Sequence, residues 1–212
     1  GDYNGVWISD IVSTSNNAII ITGSYRGDVR FGPSTVPSVY NKPMAFIAQM
    51  DQWGSFSWFV HSNRPSDSTG GAHSEELSLS PAGVWICGWI YETITLGSHT
   101  LTTGGAYRDG FAALYNISTS TWDTAISFGG PNNDVANACQ STSDGGVYVG
   151  GAYSGTAYMG SNTHTSEGGY DMYLLMLDSN GAVVWTKSWG GEYNDNVTGI
   201  ALDGAQNAYV VG

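Results

Sequence analysis

Val147-Tyr148-Val149-Gly150-Gly151 is one of four similar stretches along this chain, and their recurrence is the strongest indication of its fold. The other three are Ile19-Ile20-Ile21-Thr22-Gly23, Val84-Trp85-Ile86-Cys87-Gly88 and Ala208-Tyr209-Val210-Val211-Gly212. The final glycines, Gly23, Gly88, Gly151 and Gly212, lie about 60 to 65 residues apart, a period typical of repeat architectures. We interpret these glycines as repeat-packing positions of one unit.

Three tryptophans keep the same period, at Trp58, Trp122 and Trp185. The last of them follows a turn signal, Asp178-Ser179-Asn180-Gly181, whose residues tolerate the left-handed backbone of tight hairpins. Each unit therefore contains a hairpin, and we interpret the tryptophans as packing residues between units.

Each unit shows strand-type alternation and no helical period. In the third unit we predict four strands, near residues 135–140, 146–152, 172–177 and 183–188. The second strand of each unit is apolar or small on both faces, which requires cover on both sides. A β-sandwich would not repeat its sequence at this period, and a β-solenoid would repeat with a shorter coil. The sequence predicts an all-β fold, a β-propeller built of four-stranded blades of about 60 to 65 residues.

The repeats favour a single domain over residues 1–212, with units at about 1–62, 63–129 and 130–190 and a half unit at 191–212. A propeller has about four to eight blades, so about three and a half blades would leave an edge strand and an apolar flank uncovered. We expect the rest of the same protein to cover them. A second copy of this chain is the alternative, and strand exchange into fibres is a third option.

Composition limits the partners. Charged residues make up 11% of the chain, hydrophobic residues 41%, and the formal net charge is −12. The chain is too apolar for disorder, and its six basic residues form no cluster in the sequence, so nucleic acid and anionic membranes are poor partners. No stretch approaches the roughly 20 apolar residues of a membrane span. Few lysines and many Ser, Thr, Asn and Gly favour an extracellular or cell-surface location.

The titratable residues give no catalytic, cofactor or metal assignment. The histidines, His61, His73, His99 and His164, lack metal-ligand spacing, and Glu75-Glu76 has the pattern of an exposed pair. Aspartates recur in register at Asp109 and Asp171, and at Asp134 and Asp195, which favours turn capping over metal binding. Ca²⁺ is the cation that such turns would suit, although the chain has no Ca²⁺-loop motif.

The remaining candidates are cysteines and aromatic residues. Cys87 and Cys139 occupy positions taken by small or apolar residues in other units, which favours two buried thiols over a disulfide or a nucleophile. Trp7, Trp53 and Trp89 do not recur, so we treat them as candidate ligand-contact aromatics that could stack on sugar rings or anchor a protein.

Two long stretches carry a family resemblance. Residues 190–195 with Ile200, Asp203 and residues 207–212, and residues 168–181 followed by Val184-Trp185, resemble the SBBP-type bacterial β-propeller repeats. The first two units resemble them more loosely, since Pro43-Met44 replaces an Asp-containing turn and residues 116–122 lack the hairpin glycine. The resemblance implies a secreted or surface-attached propeller module of a large multidomain protein, without family-wide catalytic residues.

These observations favour a non-catalytic extracellular β-propeller repeat module, a structural or protein-interaction element of a larger surface or secreted protein or assembly. A carbohydrate-binding propeller that uses exposed tryptophans is the first alternative. A propeller enzyme, a hydrolase or lyase with a polar site on the axis, is the second. The expected partners are another protein, the rest of the same polypeptide, a second copy of this chain or a glycan.

Overall fold

The computed structural model describes residues 5–32, 34–36 and 42–212, and these residues form eighteen strands and no helix. Residues 1–4, 33 and 37–41 of the first predicted unit lie outside this description. The first unit contains β1 (Gly5–Ser13), β2 (Ile19–Arg26), β3 (Val29–Phe31), β4 (Ser34–Val36), β5 (Met44–Met50) and β6 (Phe56–His61). The second contains β7 (Gly71–Ser80), β8 (Gly83–Tyr91), β9 (Thr93–Leu96), β10 (His99–Thr102), β11 (Arg108–Asn116) and β12 (Thr121–Phe128). The third contains β13 (Asp134–Ser141), β14 (Val147–Met159), β15 (Asn162–Leu177) and β16 (Val183–Trp189), followed by β17 (Gly199–Leu202) and β18 (Ala208–Val211).

The strands form three four-stranded antiparallel sheets with one common order. Sheet 1 is β1-β2-β5-β6, sheet 2 is β7-β8-β11-β12 and sheet 3 is β13-β14-β15-β16; sheet 4 is the pair β17-β18. Two small hairpins, β3-β4 and β9-β10, follow the second strands of sheets 1 and 2. In sheet 3 the matching hairpin is continuous with β14 and β15, so both strands are longer than the sequence predicts.

Three of the recurrent glycines, Gly23, Gly88 and Gly151, lie opposite β-bulges in the preceding strands. The extra residues are Ser9, Glu75 and Asn137, next to the pairing partners of Gly23, Gly88 and Gly151. A Cβ on Gly88 would lie 1.9 Å from the carbonyl oxygen of His73. A Cβ on Gly23 or Gly151 would likewise lie 1.9 Å from a backbone carbonyl oxygen, and one on Gly212 would lie 1.8 Å from such an oxygen. Glycine recurs because a bulged strand brings its backbone too close for any side chain.

The sheets stack face to face with an apolar core at each of two junctions, and a third apolar cluster, which includes Tyr25, Phe31 and Phe46, covers the other face of sheet 1. Ile20 and Ile47 of sheet 1 meet Ile86 and Phe111 of sheet 2 in the first core. In the second core, side chains from the opposite face of sheet 2 meet those of sheet 3; they include Trp85, Leu114, Val149 and Leu175. The first strand of each sheet packs against the preceding sheet: β7 contacts β1, β2 and β5, and β13 contacts β7, β8 and β11. Strand β8 is therefore buried on both faces.

The three periodic tryptophans lie on β6, β12 and β16, the fourth strand of each four-stranded sheet. Trp58 and Trp122 both pack against Tyr115, with ring centres 5.2 Å apart in each case, at the junction of sheets 1 and 2. Trp185 is half-buried against Tyr148 on sheet 3. The hairpin of the second unit, which lacks a glycine, places Ser120 in the left-handed region at φ 58°, where the other hairpins use Gly54 and Gly181.

Exposed apolar side chains concentrate at the two ends of the stack. On β1, Ile8 and Ile11 are 59% and 61% exposed, and on sheet 4 Tyr209 and Val211 are 61% and 64% exposed. Within the described part of the chain, no helical segment has the length and hydropathy of a membrane span.

Candidate functional site

A cavity of about 310 Å³ opens between sheets 1 and 2, where β2 and β8 end and β11 begins. We call it the basic pocket. Its lining comprises Arg26, Lys42, Pro43, Gly71, Trp89, Tyr91, Ala106, Tyr107, Arg108 and Asn133. Every one of these residues is at a strand end or in a loop beside one, except Trp89, which is two residues before the end of β8.

Three of the six basic residues of the chain line this pocket, namely Arg26, Lys42 and Arg108. None of them has a carboxylate within 4.0 Å among residues 5–32, 34–36 and 42–212. The pocket is therefore locally positive in a protein whose net charge is −12. The sequence interpretation that the basic residues do not cluster holds along the chain and is wrong in space.

Aromatic rings hold two of these cations in place. The Arg108 guanidinium lies 4.0 Å from the centre of the Trp89 ring, and the Lys42 ammonium lies 4.7 Å from the centre of the Tyr91 ring. Both distances are those of cation–π contacts, which are worth about 0.5–1 kcal/mol at exposed sites. The contacts restrict the motion of two long side chains.

A histidine supports the pocket from the side of β7. The imidazole of His73 stacks on Trp89 with ring centres 5.5 Å apart and an angle of 18° between planes. Its Nδ1 is 2.6 Å from the Ser24 hydroxyl, and its Nε2 is 3.3 Å from the Ser9 hydroxyl and 3.5 Å from the Glu75 carboxylate. His73 therefore joins sheet 1 to sheet 2 directly beside the pocket.

The adjacent carboxylates Glu75 and Glu76 are both half-buried, which differs from the exposed pair that the sequence predicts. Glu75 accepts a hydrogen bond from Trp89 Nε1 at 3.2 Å. Burial raises the pKa of Glu75, but His73, Trp89 and Arg108 together outweigh burial and lower it.

Glu76 has the opposite environment. Its carboxylate accepts a hydrogen bond from the Cys139 backbone N–H at 2.6 Å, across the junction of sheets 2 and 3. Burial raises the pKa of Glu76 to about 7, and the charge of Asp10 adds to this. Asp10 occupies the same place in sheet 1 and accepts from the Leu77 N–H at 3.0 Å. These two carboxylates link the first strands of consecutive sheets.

The periodic aspartates cap turns, as their spacing suggests. Asp109 and Asp134 accept backbone N–H groups of Gly104 and Gly130, and Asp171 and Asp195 accept those of Glu167 and Gly191. Burial raises the pKa of Asp109 to about 6 and that of Asp134 to about 7. Across the described ranges, no group of three or more His, Cys, Asp or Glu residues is placed to hold a metal ion.

The other histidines and the cysteines lie away from the pocket. His99 is 3.0 Å from the Trp122 carbonyl oxygen, His164 bonds to Thr186 and Ser188, and His61 bonds to Tyr25. Cys87 and Cys139 are free, buried thiols. The neighbouring Cys87 thiol and burial raise the pKa of Cys139.

The candidate ligand-contact aromatics have three different settings. Trp53 is 80% exposed in the turn between β5 and β6, Trp7 is 43% exposed on β1, and Trp89 is half-buried in the wall of the basic pocket. Sequence reasoning missed Arg26, Lys42 and Arg108 as site residues. Their positions along the strands could have indicated the cluster. Lys42 lies just before β5 and Arg108 begins β11, the third strands of sheets 1 and 2, and Arg26 ends β2, which pairs with β5.

Comparison with known proteins adds no family to this description. No protein-family model matches the chain, and a search of curated proteins found no match. The assignment of the site therefore rests on its geometry.

Proposed function

We propose that this chain forms about three and a half blades of a β-propeller. Three supports are the common strand order of sheets 1 to 3, the bulge that recurs opposite Gly23, Gly88 and Gly151, and the packing of β7 and β13 against the preceding sheets. Convergence of first strands is the arrangement expected around a propeller axis. The resemblance of residues 168–212 to SBBP-type repeats agrees with this proposal.

The function that the site supports best is non-catalytic binding, by a structural and interaction module of a secreted or cell-surface protein. The proposed interaction site is the basic pocket, and its ligand carries a carboxylate. One observation carries this proposal: three basic side chains without an ion-pair partner in the described residues converge in a strongly acidic protein. Guanidinium groups match the geometry of carboxylates, so Arg26 and Arg108 suit a ligand of this kind.

The polar groups beside the pocket favour binding over catalysis. Ser9 is the exposed hydroxyl nearest to His73, but Nε2 of that histidine is shared between Ser9 and Glu75. Its Nδ1 contacts the Ser24 hydroxyl, where a hydrolytic triad would place a carboxylate. His73 and Glu75 instead position Trp89, because His73 stacks on the indole ring and Glu75 accepts a hydrogen bond from its N–H.

The experiment is a titration of the protein with propionate, followed by amide NMR shifts at constant pH and ionic strength. We expect shifts at and around Arg26, Lys42, Trp89 and Arg108 that saturate. Arg108→Gln should abolish saturation, and Lys187→Gln, which removes an exposed charge on β16, should leave it unchanged. Saturation that survives Arg108→Gln, or no shifts at these residues, contradicts the proposal.

A further inference from the structure

The basic pocket offers more than positive charge. Besides its three cations it contains two phenols, Tyr91 and Tyr107, and the side-chain amide of Asn133. The Asn133 oxygen accepts the Arg108 backbone N–H at 3.3 Å, so its NH₂ group is left to donate elsewhere. Phenols and amides both donate and accept hydrogen bonds, which is what a ligand with several hydroxyl groups requires.

The charge around the pocket limits how acidic the ligand is. Two of the cations attract nearby carboxylates. The charge of Arg108 helps to lower the pKa of Glu75, and the charge of Lys42 helps to lower the pKa of Glu92. Three cations against two nearby carboxylates leave a small positive excess, which suits one carboxylate. A polyanion would meet the net charge of −12 over the remaining surface and be repelled.

The aromatic residues have separate roles in the pocket. Trp89 is covered by Arg108 and His73, and Tyr91 is covered by Lys42, so these rings support charges. Tyr107 is 52% exposed at the pocket and has no ring or cation stacked on it among the described residues. It is the ring left to pack against an apolar ligand face, as aromatic side chains do against sugar rings.

We infer that the ligand of the basic pocket is a hexuronic acid residue on an otherwise neutral glycan. This inference rests on the proposed function, since it names the molecule that brings the carboxylate. Arg26 and Arg108 bind the carboxylate, Lys42 adds positive charge, Tyr91 and Asn133 bind ring hydroxyls, and Tyr107 packs against the ring. The glycan continues out of the pocket into solvent, where its lack of further charge avoids repulsion.

The test compares five probes by calorimetry or NMR titration: methyl glucuronide, methyl galacturonide, methyl glucoside, propionate and a short acidic peptide. We expect one of the two uronides to bind at least about tenfold more tightly than either propionate or the neutral glucoside. Tyr107→Ala should weaken uronide binding about threefold to tenfold and leave propionate binding unchanged. Tyr193→Ala, which removes another exposed tyrosine, is the matched control and should change neither.

The outcomes separate the two levels of the proposal. If propionate binds in the pocket as tightly as both uronides, the inference of a hexuronic acid ligand is contradicted and the proposed carboxylate site is supported. If no carboxylate binds, or if binding is insensitive to Arg108→Gln, both are wrong. A short acidic peptide that binds more tightly than either uronide and competes with propionate overturns the glycan in favour of a protein ligand.

Discussion

The guanidinium of Arg108 lies 4.0 Å from the centre of the Trp89 ring, while His73 stacks on that ring at 5.5 Å. Trp89 thus has two planar neighbours already. The sequence makes Trp89 a candidate for ligand contact, and in the proposed site its part is indirect, as the ring that supports Arg108. The affinity of the pocket for a carboxylate should therefore depend on this ring, although the ligand need not contact it.

Trp89→Leu should weaken carboxylate binding about twofold to fivefold, because Arg108 loses a cation–π contact of about 0.5–1 kcal/mol. The measurement is the dissociation constant for propionate by NMR titration. Trp53→Leu removes an exposed tryptophan outside the pocket and should not change the constant. Equal constants for wild type and Trp89→Leu would rule out the supporting role.

Gly88→Ala should destabilise the fold by more than about 3 kcal/mol, since its new methyl group would lie 1.9 Å from the His73 carbonyl oxygen and the bulged strand would have to move. Urea unfolding measures the effect. The control is Gly204→Ala, where no atom lies within 4 Å of the new Cβ, and there we expect a change within about 0.5–1 kcal/mol. Similar unfolding midpoints for both variants would show that the bulge tolerates a side chain.

The contribution of Glu76 to the stability of the protein should fall as pH rises from about 4.5 to about 7. Burial raises the pKa of Glu76 from its usual 4.5 to about 7, so the folded protein holds this proton more tightly than the unfolded chain does. The stabilisation is fully present below pH 4.5 and is lost as Glu76 ionises in the folded state. Asp109 and Asp134, with raised pKa values, act in the same direction.

Glu76→Gln should flatten part of this pH dependence. The glutamine stays neutral, and its amide oxygen can still accept the Cys139 N–H. Urea unfolding at a series of pH values from 4 to 8 measures the slope of the unfolding free energy. Glu192→Gln, at an exposed position, should retain the wild-type slope. An unchanged slope in Glu76→Gln would mean that the pKa of Glu76 is the same in the folded and unfolded states.

The isolated chain should associate through its apolar ends. Ile8 and Ile11 on β1 and Tyr209 and Val211 on sheet 4 are more than half exposed, and such flanks are covered when further sheets of the same polypeptide or a second copy pack on them. Light scattering across a concentration series should show a dimer or larger species, which Ile11→Lys shifts toward monomer. Val184→Lys, on β16, is the control. A monomer at every concentration would contradict this expectation.

Trp53 provides the test of the alternative lectin site. At 80% exposure in a turn, it is the tryptophan most available for stacking on a neutral sugar. If the chain binds neutral glycans, Trp53→Ala should lower their signal on a glycan array and leave uronide binding in the basic pocket unchanged. Loss of neutral-glycan binding in Arg108→Gln, with none in Trp53→Ala, would assign both activities to the pocket.

Much of the fold is predictable from local patterns. Alternation predicts the four strands of the third unit, and the recurrence of Gly23, Gly88, Gly151 and Gly212 marks the register of the repeat. The length of β14 and β15 is less predictable, because residues 156–165 form a hairpin whose pairing depends on the partner strand more than on its own composition. The left-handed conformation of Ser120 was also not predicted, because the closed hairpin imposes a backbone conformation that serine does not favour.

Local patterns are enough to predict the all-β class, the period of the units and the recurrent glycines, because these depend on neighbours a few residues away or on a repeat that can be seen in the sequence. The site, in contrast, forms only on folding. Arg26, Lys42 and Arg108 belong to different strands and loops, and Asp10 and Glu76 bond to N–H groups more than 60 residues away. Charge and hydrogen bonding act over ångströms in space, so groups far apart in the sequence combine into a pocket only once the sheets have stacked.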